Sequence, residues 1–270
     1  MASRRPCATA GMTGNERSAP SDGWARALRL RDHAAGSPMS GHGISIIIPV
    51  LNEAQGIVHL LERLQDFRRT GAEIIVVDGG SVDDTQRLAG GLADRIMSAD
   101  RGRGRQMNAG AAMARGDAFL FLHADTRLPA AALVVVADAL ANGASWGRFD
   151  VRIDGSLRGL GLVALMMNWR SRLTGIATGD QAIFVTREAF RRIGGFPEIA
   201  LMEDIVLSRE LRALAWPACL RDKVTTSGRR WEKNGLLRTI LMMWRLRLRF
   251  RFGASPADLA REYGHVPDER

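Results

Sequence analysis

Apolar positions recur along this chain in two rhythms. Ile44-Ser45-Ile46-Ile47-Ile48-Pro49-Val50, Glu73 to Val77 and Phe119 to Leu122 are short, nearly continuous apolar runs. That is the pattern of strands covered on both faces in a parallel sheet. Between the first two, Ile57, Leu61, Leu64 and Phe67 fall at helical spacing, and Gly71 ends the helix they predict. Ser81-Val82-Asp83-Asp84 has capping-box spacing and predicts a helix start at Ser81. Gln106 to Ala114 and Pro129 to Ala141 read as two more helices. The alternation predicts an α/β fold, with a Rossmann-like, mostly parallel central sheet flanked by helices and right-handed crossovers.

The rhythm changes near residue 145. From Ser145 to Ile153, Phe149, Val151 and Ile153 alternate with Arg148, Asp150 and Arg152, which reads as a half-exposed strand. Gly159 to Trp169 is apolar and Met-rich, a core helix or a surface lid. A strand from Ala182 to Thr186, a helix from Met202 through Leu214 and a strand from Ala218 to Thr226 follow. Leu236 to Phe252 is apolar with arginines at 238, 245, 247, 249 and 251, a basic amphipathic segment. It suits either an anionic membrane surface or packing on its own domain with snorkelling arginines. Ser255-Pro256 predicts the start of a short last helix.

Composition then limits the partners. The chain of 270 residues carries a net charge of +9, almost all of the excess from arginine, which favours phosphate-bearing ligands. Cys7 and Cys219 are too few for a disulfide framework or zinc cluster, so a reducing, cytoplasmic setting is expected. Residues 1–42 are rich in Arg, Gly, Ser and Pro without period and read as a disordered tail. The remainder divides into a domain over 43–235 and basic amphipathic helices over 236–270.

The candidate chemistry gathers at strand ends. His123-Ala124-Asp125 ends an apolar run, where ligands of open α/β sheets bind, and either holds a divalent metal or turns into the next helix. Asp78, with Gly79 and Gly80 behind it, lets a ligand approach or makes a tight turn. Arg101-Gly102-Arg103-Gly104-Arg105 is read as a flexible basic loop before a helix N-terminus, suited to a diphosphate, with Asn108 one turn further on. Asp180 and Gln181 either face an acceptor or form a turn. Glu203 and Asp204 open a helix, where the macrodipole stabilises them, and a carboxylate held there also serves as a general base. Arg229-Arg230-Trp231 puts cations beside an indole.

Ile-Ile-Ile-Pro-Val-Leu-Asn-Glu, Val-Val-Asp-Gly-Gly-Ser, the arginine-rich stretch with Asn108, His-Ala-Asp, Glu-Asp and Arg-Arg-Trp occur in that order over residues 43–235. The set resembles family 2 glycosyltransferases of the GT-A fold, in the compact bacterial "transferase 2" subgroup. The resemblance implies a GT-A domain with a C-terminal helical extension. It implies an inverting transfer from a nucleotide-diphosphate sugar, a UDP-sugar first of all, to an acceptor hydroxyl. It makes Glu53 and Asp78 contacts to base and ribose, and puts Arg103, Arg105 and Asn108 near the nucleotide. It makes Asp125 the last carboxylate of an Asp-X-Asp motif holding Mn²⁺ or Mg²⁺, with His123 in the place of the first Asp. It makes Asp204 the catalytic base, and Asp180, Gln181, Glu203, Arg229, Arg230 and Trp231 the groups closing over donor or acceptor. An acceptor carried on a lipid, and a peripheral position at the inner face of the cell membrane through 236–252, complete the expectation.

Two other classes remain open on the residues. A nucleotidyltransferase shares the sheet, a metal carboxylate and basic loops, but its glycine-rich signature after the first strand is replaced here by Pro-Val-Leu-Asn-Glu. A nucleic-acid-binding domain fits the charge, but one tyrosine and no aromatic-interleaved basic stripe speak against specific nucleic-acid recognition.

Overall fold

The computed structural model describes residues 43–264. The expected tail over 1–42 lies outside the described residues.

Strands β1 (Ile44–Val50), β2 (Glu73–Asp78), β3 (Arg95–Ser98), β4 (Ala118–Phe121), β5 (Thr126–Arg127), β6 (Trp146–Asp154), β7 (Phe184–Thr186) and β8 (Ala218–Ser227) form one sheet in the order β3-β2-β1-β4-β7-β6-β8-β5. The β3-β2-β1-β4 half is parallel. The other half mixes directions, with β7 antiparallel to both β4 and β6. Register sets the working edge. Asp78 lies opposite Val50 and Phe121 opposite Ile47, so the residues after β1, β2 and β4 emerge side by side.

Because successive strand residues face opposite sides, each apolar run feeds two cores. Ile46, Ile48, Ile74, Val76 and Leu120 pack with helices α1 (Ile57–Arg69) and α4 (Ala132–Ala141). Ile47, Ile75, Val77, Phe119 and Phe121 pack on the other face with α3 (Arg103–Met113), α6 (Arg187–Arg192) and α7 (Glu203–Leu214). Ile47 is fully buried, and truncating it to Ala costs about 2–5 kcal/mol.

Three expectations are corrected. The helix foreseen at Ser81 is the short α2 (Thr85–Ala89) instead, because the Ser81 hydroxyl is bonded to Asp78 and accepts the Asn52 N–H rather than capping. The basic loop is shorter than expected: α3 begins at Arg103, so Arg103 and Arg105 stand in its first turn. The half-exposed strand is buried through Val151. Its charges have found partners: Arg148 pairs with Asp150, and Arg172 donates to Asp150 at 2.8 Å. Arg172 and Asn168 both come from helix α5 (Leu160–Thr174). Asn168 bonds the Val151 N–H and C=O at 2.8 and 3.0 Å, as a neighbouring strand would. A buried charge is tolerated when paired and hydrogen-bonded.

The chain ends in α8 (Arg229–Asn234), α9 (Leu236–Arg251) and α10 (Pro256–Tyr263). Leu246, Leu259 and Ala260 bury against Leu201 and Met202, so the last helices pack on the loop that leads into α7. The opposite side of α9 leaves Leu237, Leu241, Trp244 and Leu248 exposed at i, i+4, i+7 and i+11. On α5, Leu162, Met166, Trp169 and Leu173 repeat that spacing, also exposed. Among the described residues, no helix is long and apolar enough to cross a membrane.

Candidate active site

Three non-glycine residues have positive φ: Asn52 at 53°, Ala182 at 46° and Met202 at 73°. Each stands at a turn along one edge of the sheet. Such conformations cost about 1–3 kcal/mol apiece and persist where the surroundings hold them, often at functional sites.

At Asn52 the chain leaving β1 is tied to the turn after β2. Asn52 and Glu53 donate their N–H groups to Ser81 Oγ and Thr85 Oγ1, each at 2.8 Å, and Ala54 donates to Asp83 at 3.1 Å. Asn52 Oδ1 accepts from Val82 N–H at 2.9 Å. Asp78, fully buried, accepts from Gly80 N–H, Ser81 N–H and Gln86 Nε2 at 3.0, 2.9 and 2.7 Å. Burial works against its charge, but the bonds from Ser81, Gln86 and Gly80 outweigh it and hold the carboxyl below the usual aspartate range. Gln106, on α3, donates to Val50 C=O at 2.9 Å and Val77 C=O at 2.8 Å, crosslinking β1 and β2 just below the turns.

Beside this turn, Glu53 shares its surroundings with Asp125, Asp83 and Arg229. Burial and then repulsion from Asp125 raise its pKa, against a smaller lowering by Arg229. Asp125 is exposed.

The second cluster forms around Met202. Asp204 Oδ2 accepts the Gly179 N–H at 2.9 Å, and its Oδ1 accepts the Ile205 N–H at 2.7 Å. The same short turn (179–181) carries Asp180, whose carboxylate lies 3.6 Å from His123 Nδ1. A Cβ on Gly179 would land inside the His123 imidazole, so this turn requires glycine. Burial opposes a charge on His123, yet the Asp180 carboxylate beside it and the charge of Asp125 prevail over burial and Arg103 and raise its pKa. Buried Glu203 lies 3.7 Å from Arg103. Burial first, then repulsion from Asp204, raise the Glu203 pKa, with Arg103 working the other way. Arg230 stacks on Tyr263, with its guanidinium carbon 4.1 Å from the ring centre. A small cavity is walled by Met107, Phe121 and Phe196 on one side and by His123, Glu203 and Asp204 on the other.

The expected site residues are therefore sorted. His123, Asp180, Arg103, Glu203, Asp204 and Arg230 come together. Glu53, Asp125 and Arg229 form a neighbouring group. Others have structural partners. Asn108 bonds both Phe196 N–H and C=O at 2.9 Å, pinning the loop whose ring meets Phe121 edge-on. Gln181 is fully buried and accepts from Thr178 N–H at 3.3 Å, so it faces the interior. Arg105 pairs with Glu198 at the surface, 3.3 Å apart, and Trp231 packs against the core. Tyr263 and Gln106 were given no role from sequence. Neither lies in a recognisable motif, though Tyr263 is the chain's single tyrosine.

Among the described residues, no three His, Cys, Asp or Glu side chains gather into a group that could hold a metal ion. Asp125 alone fits a Mg²⁺ or Mn²⁺ ion that takes its remaining ligands from a diphosphate and water. His123 fits less well, since its Nδ1 faces Asp180 and its pKa is raised.

Residues 45–187 match the family model described as glycosyl transferase family 2, and the chain belongs to that family. Its fold is that of GT-A enzymes. It is 30% identical over 145 residues to the undecaprenyl-phosphate 4-deoxy-4-formamido-L-arabinose transferase of Pseudomonas paraeruginosa (strain DSM 24068 / PA7), covering 50% of this chain and 41% of that protein. The matched stretch thus spans about two fifths of that curated relative. Among solved structures, Staphylococcus aureus TarS 1–349 with UDP-GlcNAc superposes with a TM-score of 0.56 at 19% identity, over 68% of this chain and 58% of that one. Mycobacterium tuberculosis glucosyl-3-phosphoglycerate synthase with Mn²⁺, UDP and glucosyl-3-phosphoglycerate gives 0.56 at 20%, over 85% and 82%. The mannosyltransferase PcManGT from Pyrobaculum calidifontis, with GDP-Man and Mn²⁺, gives 0.54 at 20%, over 87% and 73%.

Proposed function

We propose that this chain is an inverting glycosyltransferase that moves a sugar from a nucleotide-diphosphate sugar, a UDP-sugar first of all, to an acceptor hydroxyl. The observation that carries the reading is the Asp204 carboxylate. It is fixed at the start of α7 by the Gly179 and Ile205 N–H groups, on the edge where the chain leaves β1, β2 and β4. There Asp204 takes the acceptor's proton while that oxygen attacks the anomeric carbon. The bond from that carbon to the diphosphate breaks on the opposite face, and the nucleoside diphosphate departs.

Glu53 and the turn held by Asp78 receive base and ribose, with Arg229 alongside. Arg103 and Arg230 supply fixed positive charge toward the diphosphate. A divalent cation at Asp125 supplies Lewis-acid neutralisation of the leaving group when bound. Asp180 and His123 keep the 179–181 turn and the proposed base in register. Residues 43–235 form the catalytic domain, which α9 and α10 cover. The relatives named for undecaprenyl phosphate and the arginines flanking the exposed stripe of α9 together support a lipid-borne acceptor met at an anionic membrane.

Thermal-shift measurement with UDP-, GDP- and other nucleotide sugars tests the donor assignment. A bound donor raises the melting temperature with concentration by mass action. Calorimetry giving no heat with any nucleotide sugar, with or without Mn²⁺, overturns it.

A further inference from the structure

Two arginines within each other's field, Arg170 and Arg247, keep buried nitrogens without a hydrogen-bond partner, and Arg170 also lies within the field of Asp204. Arg170 Nε and Nη2 and Arg247 Nε are closed off from solvent and make no hydrogen bond among the described residues. Buried polar atoms are nearly always bonded, and one left unmade costs about 1–3 kcal/mol. Nor do the two offset each other. Burial and then repulsion from Arg247 push the Arg170 pKa down to about 10, while Asp204 works in the opposite sense. The missing element is an anion.

The surroundings say what carries it. Arg170 is on α5, upstream of the turn whose Gly179 N–H holds Asp204. Arg247 follows Leu246, which packs with Met202 at the head of α7. Gly159, just before α5, lies against Leu236 at the start of α9, and further along the two helices Arg170 and Arg247 repel each other. Each helix also carries the exposed apolar stripe described above, centred on Trp169 and Trp244. Two cations with unbonded nitrogens, one of them near the proposed base, on helices that each carry an exposed apolar stripe, match an amphiphile with an anionic head. The arginines are only partly exposed, and each is a long side chain that reaches an anion by rotating about its own bonds. The guanidinium fork fits phosphate oxygens in pairs.

We infer that Arg170 and Arg247 form a phosphate-binding subsite for the acceptor, which is a phosphate-bearing amphiphile whose chain lies along α5 and α9. This inference rests on the proposed function and names the acceptor's chemistry.

The test measures binding of farnesyl phosphate, farnesol, inorganic phosphate and UDP to the full chain by calorimetry. Farnesyl phosphate is expected to bind ~10-fold or more tightly than farnesol, and inorganic phosphate to compete with it. The double variant Arg170→Gln/Arg247→Gln is expected to lose that preference while keeping its UDP affinity; Arg170→Lys/Arg247→Lys restores part of it. Should the double variant fail to fold, Arg170→Gln alone and the competition by inorganic phosphate still decide. Equal binding of phosphate and alcohol overturns the inference, as does an equal loss of UDP affinity, which would assign the arginines to the donor. Phosphate binding that appears only after residues 265–270 are removed also overturns it. Intact UDP binding without phosphate preference sinks only this subsite, whereas absent nucleotide binding sinks the proposed function.

Discussion

The two clusters along the sheet edge are built on opposite principles. Around Asp78 and Asn52, side chains and backbone are bonded to one another. Asp78 alone accepts from Gly80, Ser81 and Gln86. Around Asp204, charges crowd, two guanidiniums lack partners, and the covering helices come from the end of the chain. The first is closed by its own bonds, whereas near the second buried arginine nitrogens stay unbonded. A bond-saturated turn costs no reordering when it binds, whereas an unneutralised cluster gains most from the ligand that completes it.

The comparison breaks most sharply at Asp204. Asp204→Asn is expected to lower transfer ~100- to 10,000-fold while leaving nucleotide-sugar affinity unchanged, measured by single-turnover transfer and calorimetry. Unaltered turnover removes the base assignment.

Gly179→Ala pushes a methyl into His123 and disturbs the N–H that holds Asp204. Overpacking of this kind costs about 1–3 kcal/mol, and here it should slow transfer more than it weakens donor binding. A lowered melting temperature with full activity would show that the turn does not position Asp204.

The parallel half of the sheet is tied at its far end by Glu73, which accepts from Ser45 Oγ at 2.6 Å, Arg115 N–H at 2.7 Å and Arg115 Nε at 3.0 Å. Burial raises the Glu73 pKa, but these bonds prevail and hold it below the usual glutamate value. A depressed folded pKa gives stability that is present above the unfolded pKa and lost as pH falls through the folded one. Glu73→Gln should cost about 1–3 kcal/mol near neutrality and flatten the loss of stability as pH falls below the usual glutamate range. Parallel pH–melting curves for both proteins would refute it.

The smallest expected effect concerns α9. Trp244→Glu with Leu248→Glu should reduce flotation with anionic vesicles and leave transfer to a short soluble acceptor intact. Equal flotation of both proteins assigns the stripe another partner.

The parallel core was legible because continuous apolar runs such as Ile44–Val50 have one reading; β2 ran only one residue beyond expectation, to Asp78. Alternation at β6 misled because it measures polarity rather than exposure. Arg148 is buried because it pairs with Asp150 and because Asn168 and Arg172 of α5 complete that network, and these two lie outside any local pattern. Ser81 and Asn108 had suitable chemistry for a cap and a ligand contact, but Asp78 nearby and the distant Asn52 bond Ser81, and the distant Phe196 backbone bonds Asn108. The nearness of Tyr263 and Arg170 to Asp204 was out of reach, since only tertiary packing of α5 and α10 creates it.

That packing has a practical side. Met202 keeps its left-handed backbone at φ 73° beneath Leu246 and Leu259. A chain cut at Gly235 would therefore lose the weight that holds this bend closed, and with it the aim of the Asp204 carboxylate. On the proposed reading, a protein cut at Gly235 should therefore lose transfer even to a short soluble acceptor, so truncation tests the site as well as any surface contact of α9.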